Sequence, residues 1–357
     1  MLSSGKRNSS YKPPFPWFGG KSAIADAVWA GIGSDVKNFV EPFFGSGAVL
    51  FLRPDGPGQI ETVNDADGFV ANFWRAMQFD SDAVAEHSDW PVNEADLHAR
   101  HLWLIGERER LTERLMGDPE FYDAKAAGWW VWGQCCWIGS GWCSGRGPWI
   151  SDNGILSLRN SGQGVNRQLP HLGDSGQGVN RQLPHLGDSG QGVNSATPRS
   201  AWLKSYLAEF AERLCRVRVC CGDWSRVCGP SVTFRHGMTG VFLDPPYADS
   251  ASRTEGLYAT DCEQVAHAVR EWAIKQGSNP LMRICLAGYE GEHQMPDDWR
   301  VHEWEAVGGY GLIADDEEST GRANKGRERL WFSPHCVKPK SDPQMTMFSE
   351  DGNAQPQ

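Results

Sequence analysis

The chain has 357 residues, 40% of them hydrophobic, and a formal net charge of −11, enough to bury one large core or two modest ones. No apolar run reaches the roughly 18 residues of a membrane span, and the polar opening MLSSGKRNSSYKPP lacks the apolar stretch of an export signal. A cytoplasmic protein is therefore expected, its ten cysteines present as reduced thiols, and the acidic balance argues against a uniformly basic, phosphate-coating surface. No two cysteines form a C-x-x-C pair, which leaves a metal site at Cys135, Cys136 and Cys143 as a minor alternative to the expectation of no metal.

Residues 1–13 are expected to be a flexible N-terminus. The stretch PWFGGKS, Pro16 to Ser22, invites comparison with a phosphate-binding loop, but the position where that loop needs its first glycine is Phe15. Pro16 also has no N–H to offer a phosphate. A helix is predicted from Ser22 to Ala30, a strand and turn in KNFVEPF, and a second strand ending in acids in IETVNDAD. The spacing of Phe69, Phe73 and Met77 predicts a helix after it. Strand, glycine turn, strand, acid and helix open a parallel α/β sheet.

From about Asn93 the character changes. ADLHARHLWLIGERERLTERLMG and the aromatic FYDAKAAGWWVWGQCCWIG read as helices, and Gly139 to Gly164 as a loop rich in glycine and serine. The segment SGQGVNRQLPHLGD at Ser161 to Asp174 recurs unchanged at Ser175 to Asp188 and begins again at Ser189. Its Gly, Pro and Asn favour turns over helix; a duplication in a tolerant surface loop and a nucleic-acid contact are both open readings. Ser200 to Leu214 is an amphipathic helix, after which the α/β rhythm returns. Strands are predicted at Val217–Cys221, Val241–Leu243, Met282–Leu286, Val301–Ala306 and Arg329–Phe332, with a helix at Asp261–Lys275. The divided pattern gives an α/β domain from residues 14–92 and 215–337, an insert at 93–214 carrying the repeat at 161–194, and a disordered tail at 338–357. Arginines from Arg159 to Arg235, Arg213 among them, suggest a local basic face.

The most specific stretch is VFLDPPYAD, Val241 to Asp249. An apolar strand delivers Asp244 to the strand tip, where open α/β sheets bind ligands. Pro245 and Pro246 fix a rigid extended turn with free carbonyls, and Tyr247 supplies a flat face. Acid, carbonyl and ring are suited to gripping a planar amine. Asp-Pro-Pro-Tyr resembles motif IV of the amino-group DNA methyltransferases that use S-adenosylmethionine; FVEPFFGSGAVLF resembles their cofactor motif I, and PWFGGKS their motif X. The order of these motifs resembles the Dam-like, alpha-class adenine-N6 enzymes, including solitary phage and prophage examples.

That resemblance implies a Rossmann-like methyltransferase sheet with an inserted helical and loop-rich target-recognition domain. It implies methyl transfer from S-adenosylmethionine to adenine N6 in double-stranded DNA, giving S-adenosylhomocysteine, with the base flipped out of the duplex. Cytosine-N4 methylation is the nearest alternative; an RNA or protein-glutamine substrate and a catalytically silent DNA-binding scaffold stand further off. By the same resemblance Trp17, Phe18, Lys21, Glu41, Phe43, Gly45, Gly47, Asp223 and Trp224 line the cofactor pocket. Lys21 would meet the cofactor carboxylate or a nearby backbone group, Glu41 its amino end, and Asp223 its adenine amine. Gly45 and Gly47 would let the backbone approach it. Asp65, rather than Asp67, is expected to accept from the ribose. Asp244 and Pro245 would take the target amine's hydrogens, with Pro246 stiffening the turn and Tyr247 stacking on the base. Arg167, Arg181, Arg322 and Lys325 are expected at DNA. No nuclease domain is visible in the sequence, and a monomer or weak dimer is expected.

Overall fold

The predicted strands assemble side by side, and their order decides where a ligand can sit. The computed structural model describes residues 13–17, 20–54, 59–137, 142–143, 149–152, 155–158, 199–246, 257–304 and 328–338. Seven strands form one sheet: β1 (Asn38–Glu41), β2 (Ile60–Asp65), β5 (Val217–Cys221), β6 (Thr239–Leu243), β7 (Met282–Tyr289), β8 (Arg300–Glu303) and β9 (Glu328–Phe332). Their order is β5-β2-β1-β6-β7-β9-β8. The first five in that order run parallel, while β9 is antiparallel to both β7 and β8. From β1 the chain builds outward through β2 and β5, then crosses back to lay β6 against the other side of β1. That reversal is the place where an open α/β sheet forms its ligand crevice, beyond the strands' carboxyl ends.

Alternation along the strands sorts the core into two faces. Phe39, Val63, Phe242, Ala287, Leu330 and Phe332 share one apolar cluster with Val28 and Ile32 of helix α1 (Ala25–Ile32) and with Phe69 and Phe73 of α3 (Gly68–Ser88). Val40, Val241, Leu243, Ile284, Leu286 and Trp331 pack on the opposite face. Val269 and Ala273 of the long helix Leu257–Gly277 cover them there. The short helix α2 (Ala48–Phe51) follows β1.

Helices α4 (Glu94–Gly117), α5 (Ala124–Cys136) and α6 (Arg199–Leu214) lie within the expected insert. Their Leu104, Leu111, Trp130, Leu203, Leu207 and Leu214 join the cluster of the α1 face, so these helices are packed through α3 onto the sheet's own core. Helix α5 starts at a cap in which Asp123 accepts from the Ala126 N–H at 2.8 Å. Asn72 of α3 clamps that start by donating to the Asp123 carbonyl and accepting from its N–H, at 2.9 and 2.8 Å. Trp130 and Trp132 are buried, the core role for the tryptophan-rich stretch. Trp202 of α6 is 39% exposed and stacks on Tyr206.

Two local expectations change. Part of the expected Gly/Ser-rich loop pairs as an antiparallel hairpin of β3 (Trp149–Asp152) and β4 (Ile155–Leu158). The two residues between them in the sequence are Asn153 and Gly154, the strongest short hairpin signal. Arg213, counted with the basic stretch, turns inward: its guanidinium binds the buried Glu61 carboxylate at 2.7 and 2.9 Å. Arg53 meets the same group at 3.1 Å. We name the helix Leu257–Gly277 α7. No described helix is long and apolar enough to cross a membrane.

Candidate active site

The loop after β1 turns back sharply at two glycines. Gly45 and Gly47 have φ of +48° and +74°, a region that strains any residue with a Cβ. A Cβ on Gly45 would stand 2.4 Å from the Trp17 indole nitrogen, and one on Gly47 would stand 2.7 Å from the Phe44 and Phe51 rings. In the described structure, aromatic side chains fill the space that these glycines leave. The loop is stitched to its neighbours: Gly45 N–H donates to Asp65 Oδ2 at 2.9 Å, and Trp74 Nε1 donates to the Gly45 carbonyl at 2.8 Å. Asn64 links the loops after β1 and β5 by donating to the carbonyls of Pro42 and Gly222, at 3.1 and 2.9 Å.

Acids stand at the ends of four adjacent parallel strands, Asp223 after β5, Asp65 on β2, Glu41 on β1 and Asp244 after β6. Glu41 is 2% exposed, and among the described residues its Oε2 has no hydrogen-bond partner. Burial, reinforced by the Asp244 charge, pushes its carboxyl well above the usual range, against a Leu50 N–H that pulls the other way. Asp65 accepts from the Gly45 and Asp67 N–H groups, one on each oxygen. Even so, withdrawal of the carboxyl from water lifts it to about 7. Asp67 caps α3 by accepting from the Phe69 N–H at 2.8 Å, with Arg108 4.0 Å away. Exposed Asp223 caps a 3₁₀ turn, Oδ1 accepting from the Ser225 N–H at 3.0 Å and from its hydroxyl. Beside it, Trp224 stacks on Phe43 with ring centroids 6.4 Å apart.

Lys21 is 6% exposed. The sequence reading directed it toward the cofactor carboxylate or nearby backbone. In the structure its ammonium lies 3.0 Å from Asp244 Oδ2, since a buried cation needs an anion. The segment before it is braced by α5: Trp130 packs on Phe15 and Trp17, and Gln134 donates to the Pro16 carbonyl at 3.2 Å. Thus one junction brings together Trp17, the glycine loop, Asp65, Glu41, Lys21 and Asp244.

Residues 17–99 match the family model of the D12 class N6 adenine-specific DNA methyltransferases. The match covers less than half of the chain. The chain is a DNA methyltransferase acting on adenine N6, and methyltransferases in general use S-adenosylmethionine as methyl donor. None of the curated proteins compared with it matches. The matched segment runs from Trp17 into α4 and contains the Lys21, Glu41, Gly45, Gly47 and Asp65 positions; Asp223 and Asp244 lie beyond it.

Of the methyltransferase residues expected at the site, Pro245 is buried and Pro246 exposed. Phe18, Tyr247, Arg167, Arg181, Arg322, Lys325 and the repeat at 161–194 lie outside the described residues. Among the described residues, no three potential metal ligands cluster. One residue escaped the sequence reading: Glu328, whose carboxyl senses the charges of both Lys21 and Asp244. No motif announces it, because β9 returns to the sheet from far along the chain.

Proposed function

We propose that the methyltransferase takes its target adenine out of duplex DNA and holds the exocyclic amine against Asp244 and the Pro245 carbonyl. The observation that carries this reading is the pairing of two acids at the sheet's reversal: Glu41 with an unpartnered buried oxygen on β1, and Asp244 beside it after β6. Two acids with different tasks fit that junction, one for a cationic amino group and one for the reacting amine.

The residues fit S-adenosylmethionine. Glu41 Oε2 lacks the donor that an ammonium would supply. Only backbone N–H groups act to lower the raised carboxyl of Asp65, and ribose hydroxyls would provide further donors. Asp67 is committed to capping α3, which favours Asp65 for this task. Asp223 uses Oδ1 for its cap, leaving the other oxygen for an adenine amine, with Phe43 and Trp224 as the flat walls. Trp17 and Phe18 close the methionine side, and Gly45 and Gly47 shape the loop. When bound, this cofactor supplies an electrophilic methyl group.

The chain's own contribution is to the nucleophile. The N6 lone pair of adenine is delocalised into its ring. Two acceptors placed in advance at the amino hydrogens favour a pyramidal nitrogen with that lone pair available. Pro246 stiffens the turn, and Tyr247 stacks on the extruded base. Residues 93–214 form the target-recognition insert, with Arg167, Arg181, Arg322 and Lys325 on phosphates or guanine edges. We take the enzyme to be solitary, of phage or prophage type, cytoplasmic, and a monomer or weak dimer.

The test is incubation with unmethylated duplex DNA and S-adenosylmethionine, followed by nucleoside mass spectrometry, with Asp244→Ala in parallel. N6-methyladenine formed by the wild type and absent with the variant is the expected result. Retained turnover in Asp244→Ala would overturn the site.

A further inference from the structure

Helix α4 runs beside the turn that joins β2 to α3. Arg108, Thr112 and Met116 follow one another at intervals of four residues and so share one face of that helix. In that order they meet Asp67, Gly68 and Gly222. The Arg108 guanidinium lies 4.0 Å from Asp67 Oδ1. A Cβ on Gly68 would strike the Thr112 hydroxyl, and one on Gly222 would stand 3.6 Å from the Met116 sulfur. One face of α4 therefore lies along both loops that carry the acids assigned to the cofactor's nucleoside, Asp65 at the end of β2 and Asp223 after β5.

The turn at Asp65 is made of two nested carboxylate bonds. The Asp67 N–H donates to Asp65 Oδ1 at 2.9 Å, and the Phe69 N–H donates to Asp67 Oδ1 at 2.8 Å. Arg108 grips the outer half of this turn twice: at the Asp67 carboxylate, and over the Phe69 ring, whose centroid lies 4.9 Å from its Cζ. The charge of Asp67 opposes ionisation of Asp65, beside the larger effect of burial, and Arg108 is a cation facing that charge.

The guanidinium is itself held. Its Nη2 donates to the Cys143 carbonyl, and the Cys143 N–H donates to His101 Nδ1 at 3.2 Å. Cys143 is buried with φ of +51°, a conformation that a residue with a Cβ keeps only where its surroundings impose it. Nη2 is thus fixed on a strained peptide while Nη1 faces Asp67. An ion pair at 4.0 Å between side chains about a third exposed adds little to stability. The arrangement is better suited to orienting the turn than to holding the fold.

We propose that Arg108 is a positioning residue for the cofactor's ribose, acting through Asp67 on the turn that carries Asp65. A helix from the expected recognition insert thereby helps to shape the cofactor pocket. This inference rests on the assignment of Asp65 to the ribose hydroxyls.

The experiment titrates S-adenosylhomocysteine, and its analogue lacking both ribose hydroxyls, into full-length wild type, Arg108→Met, Arg108→Lys and Asp65→Asn by calorimetry. Melting temperatures are measured beside them. Arg108→Met should weaken S-adenosylhomocysteine by about three- to fivefold, the scale of a partly exposed ion pair, and leave the analogue's affinity at the wild-type value. Arg108→Lys keeps the cation without the planar fork and should recover part of the loss. Equal losses on both ligands, as a merely structural role or poor folding would give, would overturn the proposal. So would wild-type affinity for both. Asp65→Asn should lose most of the preference for the hydroxylated ligand. If it keeps the wild-type preference, the ribose assignment itself fails, so the two failures are separable.

Discussion

Two buried glutamates on adjacent strands show how differently the same side chain is treated at the two ends of this sheet. Glu61, near the start of β2, is 3% exposed and held by Arg53 and Arg213 through three contacts of 2.7 to 3.1 Å. Glu41, at the end of β1, is 2% exposed and keeps one oxygen without a partner. The first carboxylate is neutralised by the fold. The second is left uncompensated at the ligand end, with a second acid beside it, and its carboxyl is pushed up in consequence. Desolvated charge without compensation is destabilising, and the proposed ammonium site would account for its persistence at the reversal of the sheet.

That contrast can be broken in several ways. The largest effect belongs to the reacting end: Asp244→Ala should cost about a thousandfold or more in methyl transfer while S-adenosylmethionine still binds, read by single-turnover assay and calorimetry. Next comes the structural end. Glu61→Gln removes the anion between two arginines and should lower unfolding free energy by about 3 kcal/mol in urea titrations, with cofactor affinity unchanged; an unchanged midpoint would remove the distinction. Gly45→Ala should be milder, about 1 kcal/mol from strain at positive φ, but should also displace Trp17 and weaken cofactor binding, visible as changed tryptophan fluorescence.

The smallest effect is a proton. With its carboxyl raised, Glu41 is protonated in the free enzyme over part of the range between the ordinary glutamate value and its raised one. An arriving ammonium favours the ionised form, so binding should release up to about one proton there. Calorimetry in buffers of different ionisation enthalpy reads this, and Glu41→Gln should abolish its share. The linkage also has a stability sign. A raised acid favours the folded state at low pH, and that advantage is lost as pH rises from the ordinary value through the raised one.

Much of this was legible in the sequence because it depends on local order. Apolar runs ending in acids pointed to Asp65 and Asp244 at strand tips, and the family resemblance named Glu41 and Asp223. What escaped depends on distance along the chain. Arg213 read as part of a basic face because its partner Glu61 is 152 residues away. Glu328 carried no signal because only the fold brings β9 beside β7. The Lys21–Asp244 contact carried no signal because only the folded sheet brings the two within 3.0 Å. The β3–β4 hairpin was the avoidable miss, since Asn153-Gly154 stood in plain view between WISD and ILSL.

The most direct test is calorimetric titration of S-adenosylmethionine into wild type and Glu41→Gln, with thermal unfolding of both. The account predicts that Glu41→Gln loses about tenfold to a hundredfold in affinity while melting at the wild-type temperature or above it. Wild-type affinity together with a lowered melting temperature would contradict it, and would make Glu41 a structural acid like Glu61.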